Sequence, residues 1–229
     1  MFVKIGILTI LVLTLGQGIP ICRPLKEGEA YCLKTFRSVK VGTKLVVEDG
    51  VYEHRCLEVD DHEVEHIEAK CVEGTIKRVN EEPESTKGET YNYIQNSRGQ
   101  RFEYEEIKST LKEDPLEFVS EQIHSKLRDF TVLPGETWKD KSSHTEYTVV
   151  AGHPKLFMKT ECIQVIRKGT FTNGISGAFK EDSWYRVSDG QLMYQQTTGD
   201  EIKSPDLESI QFLERLEFRP EKKSSKLAL

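Results

Sequence analysis

The sequence predicts a mainly β protein with one or two helices, organised as a tandem duplication of a small antiparallel β unit with each copy closed by a helix. The first observation behind this is a recurrence at a spacing of 91, which relates Cys71 to Cys162, His62 to His153, Val59 to Val150, Gly99 to Gly190 and Gln100 to Gln191, with Tyr93 opposite Trp184. The spacing drifts to 93 where Val39 to Leu45 matches Val132 to Trp138, and to 95 where Glu106-Ile107-Lys108-Ser109 recurs as Glu201-Ile202-Lys203-Ser204. Insertions at turns produce drift of this kind. The second observation is a series of β-branched and aromatic segments bounded by glycine turns, and the third is a pair of helix-start signals.

Taken in order, the chain opens with Lys4 and an apolar run from Ile5 to Leu15, followed by Gly16-Gln17-Gly18, a small-x-small site. A run this short fits the hydrophobic region of a cleaved export signal and falls short of the roughly 18 apolar residues that a spanning helix needs. Residues 1–18 therefore read as a signal peptide, 19–36 as an N-terminal segment and 37–115 as the first β-rich repeat. Within that repeat Lys44 to Glu48 reads as a strand, and Asp49-Gly50 and Arg98-Gly99 read as hairpin turns, because glycine accepts a positive φ without a steric penalty. A weaker sub-period of 47 relates Gly88-Glu89-Thr90-Tyr91 to Gly135-Glu136-Thr137-Trp138.

Asp114-Pro115-Leu116-Glu117 has an N-cap, a first-turn proline and an early acid, and Leu116, Val119, Ile123, Leu127 and Phe130 share one helical face. This predicts a linking helix over 116–130. Residues 131–216 form the second repeat, with strands over Tyr147 to Ala151, Phe157 to Ile166 and Ser183 to Val187 and a turn at Asp189-Gly190. Ser204-Pro205-Asp206-Leu207 followed by Ile210, Leu213 and Leu216 predicts its closing helix. Residues 217–229 are a basic tail carrying Lys222, Lys223 and Lys226, a solvated end with a matrix polyanion as its minor partner.

Composition narrows the function. A formal net charge of -6 at pH 7 is the wrong sign for a nucleic-acid binder. A hydrophobic share of 37% still suffices for a core, and no later apolar stretch could span a membrane. The five cysteines match no zinc spacing and read as a disulfide framework for an oxidising compartment. Cys56 with Cys71 and Cys22 with Cys32 are the expected bridges, which leaves Cys162 unpaired, buried or bridging two chains.

His62-Glu63-Val64-Glu65-His66 matches the H-E-x-x-H zinc string, in which a helix places both histidines on one face. Asp60, Asp61 and Glu65 flank it, helical apolar periodicity is missing, and the second copy carries Pro154 there. It reads as a charged hairpin, with a zinc hydrolase as a minor alternative. The acidic run from Glu58 to Glu68 lacks the alternation and central glycine of a calcium loop. No Gly-x-Ser-x-Gly or phosphate-cradling loop is present. Trp138, Trp184 and Tyr185 are the candidate binding-face aromatics. No catalytic residue, metal ligand or cofactor is expected.

Gly135-Glu136-Thr137-Trp138, Glu161-Cys162, Ser183-Trp184-Tyr185-Arg186 and Asp189-Gly190-Gln191-Leu192-Met193-Tyr194 together resemble the fibronectin type I-like domain of the nematode abnormal cell migration protein 18 family. The first copy echoes it in Gly42-Thr43-Lys44-Leu45, Tyr52, Cys56, Cys71, Gly88-Glu89-Thr90-Tyr91 and Phe102-Glu103-Tyr104. The resemblance implies a secreted extracellular-matrix protein without catalytic residues. The leading expectation is accordingly a secreted non-enzymatic protein of two such repeats that binds extracellular or matrix proteins. The alternative is a secreted carrier of apolar ligands, in which both copies form a curved sheet around a pocket crossed by the Leu116 to Phe130 helix.

Overall fold

The structure is a computed structural model, and it describes residues 18–21, 23, 25–61, 64–95, 101–111, 116, 131–140, 145–152, 154–170, 176–204 and 207–219. Residues 1–17, which hold the N-terminal apolar run, and those beyond 219 lie outside them. The first half contributes β1 (Ile19–Pro20), β2 (Ala30–Val41), β3 (Lys44–Val59), β4 (Glu65–Arg78), β5 (Glu84–Ser85), β6 (Thr90–Gln95), β7 (Arg101–Glu103) and α1 (Tyr104–Leu111). The second half contributes β8 (Thr131–Val132), β9 (Thr137–Asp140), β10 (Thr145–Val149), β11 (Lys155–Phe157), β12 (Thr160–Thr170), β13 (Ser176–Arg186), β14 (Leu192–Ser204) and β15 (Leu207–Arg219). The mainly β, antiparallel expectation holds.

All strands except β1 and β8, which pair with each other, belong to one 13-stranded sheet ordered β7-β6-β4-β3-β2-β15-β14-β13-β12-β10-β9, with β5 and β11 attached to β4 and β12. The first and last long strands lie side by side at its middle. Their ladder is continuous from Ile210↔Val41 to Arg219↔Cys32. The two halves are therefore one sheet. β2 also runs through the expected boundary at 36, and β15 through the one at 216.

Several sequence expectations are corrected here. The closing helix after Ser204 is strand β15. Ile210, Leu213 and Leu216 do fall at helical spacing, but Ile210, Phe212, Leu216 and Phe218 also alternate with period two. Ladders to β14 and β2 on both sides use the backbone of β15 as a strand, and tertiary pairing overrides local spacing. Of the linking helix, only Leu116 is described, helical and buried. A helix precedes it, because α1 takes up Glu106-Ile107-Lys108-Ser109, whereas the matching Glu201-Ile202-Lys203-Ser204 is strand. Asp49-Gly50 is the interior of β3, and the hairpin turn is at Gly42, with φ of 57°. Asp189-Gly190 is a turn as expected, with φ of 72° at the glycine.

Cys56 and Cys71 are free thiols rather than a disulfide. The register explains this: Cys56 lies opposite Ile67 while Cys71 lies opposite Tyr52, four positions along the ladder. At roughly 3.3 Å per residue this is about 13 Å, well beyond the ~7 Å that a disulfide spans. Cys22 is outside the described residues, so the Cys22 to Cys32 pairing is too. Cys162 is a buried thiol.

Residues directly opposite in an antiparallel ladder point to the same side, so the registers sort side chains into two faces. One face carries Tyr93, Ile67, Ala69, His54, Tyr52, Leu33, Phe218, Leu216, Ser183, Tyr185, Ile163 and Val165. The other carries Lys34, Asp49, Glu53, Arg55, Glu68, Lys70, Lys180, Arg215 and Glu217, a wet outer face. On that outer side α1 covers one patch, where Ile107 and Tyr104 pack with Val64, Ile94 and Leu116. Residues 91 apart do not keep equivalent places. Cys71 and Tyr93 share the apolar face, whereas Cys162 and Trp184 share the outer one.

Glycine lets aromatic rings lie flat on the apolar face. Phe179 covers Gly169, Tyr52 covers Gly50 and Phe212 covers Gly199, each leaving no room for a Cβ. Gly199→Ala should therefore destabilise the fold by about 1–3 kcal/mol through overpacking. Gly42→Ala, in open space, should cost only the left-handed backbone penalty of roughly 1–2 kcal/mol and disturb no ring. Urea unfolding with near-ultraviolet circular dichroism separates the two effects; a lost aromatic signal belongs to Gly199→Ala alone.

Candidate functional site: the strapped apolar face

The N-terminal segment crosses the apolar face at one end of the sheet. Ile21 packs with Val132, Val149, Ile163, Val165 and Tyr185, against which Ile19, Trp138, Tyr147 and Leu192 also rest. Further along, Leu25 packs with Cys56, Ile67, Ala69 and Tyr93 on the other half of the sheet. One short stretch of chain thus caps two separate clusters on a single sheet face.

Backbone contacts hold this strap. The Arg23 N–H donates to the Gly190 carbonyl at 3.1 Å, Gly28 N–H to Cys56 at 2.9 Å, and Cys56 N–H back to Glu29 at 2.9 Å. The Leu25 N–H donates to Glu65 Oε1 at 2.5 Å, and Gln95 Nε2 donates to the other oxygen at 3.1 Å. Glu65 is only 1% exposed, so these donors compensate a carboxylate that burial would otherwise penalise. Gly190 is tight against Pro20 and Ile21, where a Cβ would meet backbone at about 3 Å.

Two carboxylates flank Arg23. Glu29 accepts from the guanidinium at 2.6 Å and from the Lys26 N–H at 3.1 Å. Partial burial works to raise its pKa, but the Arg23 hydrogen bond, the Lys26 N–H and both positive charges bring it below the usual carboxylate range. Asp189 is held low mainly by its two hydrogen bonds from Arg186, at 2.8 and 2.7 Å, with further help from the Gln191 N–H and the Arg23 charge.

Beyond the strap the same face has three zones. Nearest is an aromatic group in which Tyr31 stacks on His54, with centroids 5.3 Å apart, and His54 Nδ1 lies 3.1 Å from the Tyr93 hydroxyl. Next come Leu33, Tyr52, Phe218 and Leu216, which link the first-half cluster to the second. Burial, with the neighbouring Cys71 and Glu48 charges, pushes the Tyr52 phenol up to about 12. The third zone is a polar belt.

The belt runs in register across seven strands as Glu48, Arg37, Glu214, Thr197, Glu181, Arg167 and Tyr147. Arg167 meets Glu181 at 2.9 Å with its guanidinium 5.0 Å from the Phe179 ring centre, and Arg37 meets Glu48 at 4.0 Å. Burial raises the Glu181 carboxyl above its usual range despite Arg167 and the Ser183 hydrogen bond, and the Glu214 charge adds to the rise. Val39, Val46, Phe212 and Phe179 resume the apolar surface on the far side of the belt.

The sequence-predicted site residues do not converge. Trp138 and Tyr185 are on the strapped face, Trp138 stacked on Tyr147 with centroids 4.8 Å apart. Trp184 is on the outer face, stacked on Phe157 at 4.9 Å. Of the zinc string, His62 and Glu63 lie outside the described residues, and Glu65 and His66 are extended strand, so the helical geometry that the motif requires is not formed there. His66 stacks on Tyr104, with centroids 4.2 Å apart. Among the described residues, no group of three or more histidine, cysteine or acidic side chains is placed to hold a metal ion. Burial, aided by the Glu65 charge, pushes the Cys56 thiol up to about 11, and burial raises Cys162 as well, so both are held as thiols.

The strap and the belt escaped sequence reasoning. Leu25, Arg23 and Glu29 sit in a stretch without periodicity, and the belt is formed by residues whose partners are far apart in sequence. The alternation of Leu33, Thr35 and Arg37 in β2 was the one local sign of a face that changes from apolar to polar.

Because Glu29 and Asp189 are both held low, their contribution to the strap is complete above the ordinary carboxylate range and is lost as pH falls through the lower folded values. Amide protection at Arg23 and Gly28 should therefore drop between about pH 5 and pH 2, ahead of the β3–β4 ladder. Hydrogen exchange read by mass spectrometry or NMR checks this, and Glu29→Gln should remove most of the difference.

No protein-family model and no curated protein sequence matches the chain. Among solved structures, it is similar to lipovitellin, from work on lipid–protein interactions in that protein, with 8% identity and a TM-score of 0.48 over 85% of this chain and 25% of lipovitellin. It thus spans a quarter of that protein's length. It is also similar to a DUF1329 family protein from Desulfovibrio piger, with 8% identity and a TM-score of 0.25 over 88% of each chain. A putative outer membrane lipoprotein-sorting protein domain from Vibrio parahaemolyticus gives 8% identity and a TM-score of 0.23 over 85% of each chain. At these scores the likenesses carry no functional argument.

Proposed function

We propose that the protein is a secreted, non-enzymatic carrier of apolar or amphiphilic molecules, which lie along the strapped face with any polar group at the belt. The observation that carries this reading is the continuity of that face across both halves of the chain. Apolar and aromatic side chains recur on that face from Tyr93 in β6 to Val149 in β10, with Gln195 and Ser183 between Leu216 and Val165, and one belt of charged and hydroxyl groups crosses it. Apolar linings with a few placed polar groups are characteristic of small-molecule sites. The matrix-binding expectation came from the resemblance of the two repeats to a matrix family. The β2–β15 ladder joins the halves in one sheet, which favours the carrier reading over two separate modules. Secretion belongs to this proposal through the export segment, and the raised thiol pKa values of Cys56 and Cys162 favour a role without covalent catalysis.

Organic extraction of the protein purified from a secreting eukaryotic host, followed by mass spectrometry, should yield apolar molecules close to stoichiometric amounts. A long-chain fluorescent amphiphile should bind and be displaced by them. Replacing the buried ion pair through Arg167→Leu with Glu181→Leu should leave stability unchanged or higher, since apolar isosteres of a buried pair are often neutral or better. The same variant should weaken binding of charged-headed amphiphiles about tenfold relative to neutral hydrocarbons, the loss of one hydrogen bond to a charged group. If nothing apolar co-purifies while extracellular-matrix proteins are captured, the carrier reading is wrong and the matrix reading stands.

A further inference from the structure

The β11–β12 hairpin projects an apolar, basic tip that the ligand site does not use. Its two turn residues, Met158 and Lys159, have φ of 50° and 67°. Positive φ at both central positions of a two-residue hairpin is the geometry for which asparagine and glycine are the inexpensive choices. A methionine and a lysine are disfavoured there, so turn formation does not explain their presence. Leu156 is 76% exposed and Met158 52%, the two most exposed large apolar side chains among the described residues. Lys155 and Lys159 bracket them and are exposed as well. The exposed acid beside them is Glu161, which pairs with Leu156 across the ladder, so the tip is net positive.

The hairpin is rigidly seated. Phe157 stacks on Trp184, with centroids 4.9 Å apart, and leans on Tyr194 at 5.4 Å. Lys155 to Phe157 pair with Cys162 to Thr160. An anchored aromatic at its centre therefore holds Leu156 and Met158 out in water at a fixed position. Strained backbone persists where the surrounding structure imposes it, and it concentrates at functional positions.

We propose that this tip docks the protein on an anionic lipid surface, with Leu156 and Met158 entering the interface and Lys155 and Lys159 meeting the headgroups. A few apolar side chains combined with flanking cations is the arrangement that anionic interfaces select, since a single chemical signal gives only marginal attachment. Charge complementarity and the apolar pair together favour a lipid surface over a protein groove. This inference goes beyond the carrier reading and does not depend on it: Leu156 points to the strapped side of the sheet with Glu161, but it is exposed and belongs to neither cluster under the strap.

The test is cosedimentation of the whole secreted protein with vesicles of phosphatidylcholine alone or of phosphatidylcholine mixed three to one with phosphatidylserine. Binding should favour the mixed vesicles and fall as salt rises. Lys155→Gln with Lys159→Gln should lower partitioning by about thirtyfold, at the scale expected for two surface lysines. Leu156→Ser with Met158→Ser should reduce binding to both compositions and leave the circular dichroism spectrum intact, since these side chains are exposed. Unchanged binding in the tip variants would overturn the proposal and assign any attachment to the lysines after residue 219. Equal binding to both compositions would overturn it too. Failure of any arm leaves the carrier reading to its own test, the co-purification of apolar molecules.

Discussion

The ladder between β2 and β15 is the contact on which the rest of the structure depends. It is antiparallel and unbroken from Val41 to Cys32, and it puts the two ends of the described fold at the centre of the sheet. The middle of the chain is thereby sent to the outer edges, at β7 and β9. Apart, the six-stranded and seven-stranded halves of the sheet would each have an exposed long edge, which natural sheets avoid because unpaired backbone groups recruit other chains. Joining those edges solves the problem for both halves and creates one wide face. The strap then needs only a few residues to reach both apolar clusters, since they share a single surface.

That face is apolar where it is covered and polar where it is charged, and the two regions depend on each other. Burial lifts the Glu181 carboxyl while Arg167 opposes the rise, and Ser183 and Thr197 supply hydroxyls to the same carboxylate. Buried ion pairs rarely add stability over apolar replacements, so their presence is weak evidence for a structural role. Under the carrier proposal, a belt of such groups on an otherwise apolar face would orient what lies on it. The outer face has the opposite character: its charges pair along the surface, as Lys34 with Asp49 and Arg55 with Glu53, and contribute little.

The β character of the chain was legible because β-branched and aromatic residues recur between turns, and Asp189-Gly190 was legible because a glycine with a preceding acid favours that turn. What misled was ambiguity of period. Ile210, Leu213 and Leu216 fit a helix while Ile210, Phe212, Leu216 and Phe218 fit a strand, and only the neighbours β2 and β14 decide between them. Asp49-Gly50 looked like a turn because a glycine needed for ring clearance beneath Tyr52 is indistinguishable, in sequence, from one needed for positive φ. The spacing of 91 finds real similarities of composition, yet an odd offset across differently bulged ladders moves side chains to the opposite face, as with Tyr93 and Trp184. The strap and the belt could not be read, since each is made by contacts between distant segments.

The separation of Cys56 from Cys71 has a consequence for how such a chain must be made. In the unfolded chain these thiols are close neighbours in sequence, and closing so short a loop is entropically easy. In the finished ladder they are about 13 Å apart, so a bond between them belongs to no native arrangement. In an oxidising compartment such a bond would be a covalent dead end that competes with β3–β4 pairing. Once the ladder forms, burial protects both sulfurs and removes the hazard. The register of this one ladder thus implies an order of events: wherever the chain meets an oxidant, β3 and β4 must pair before their thiols do.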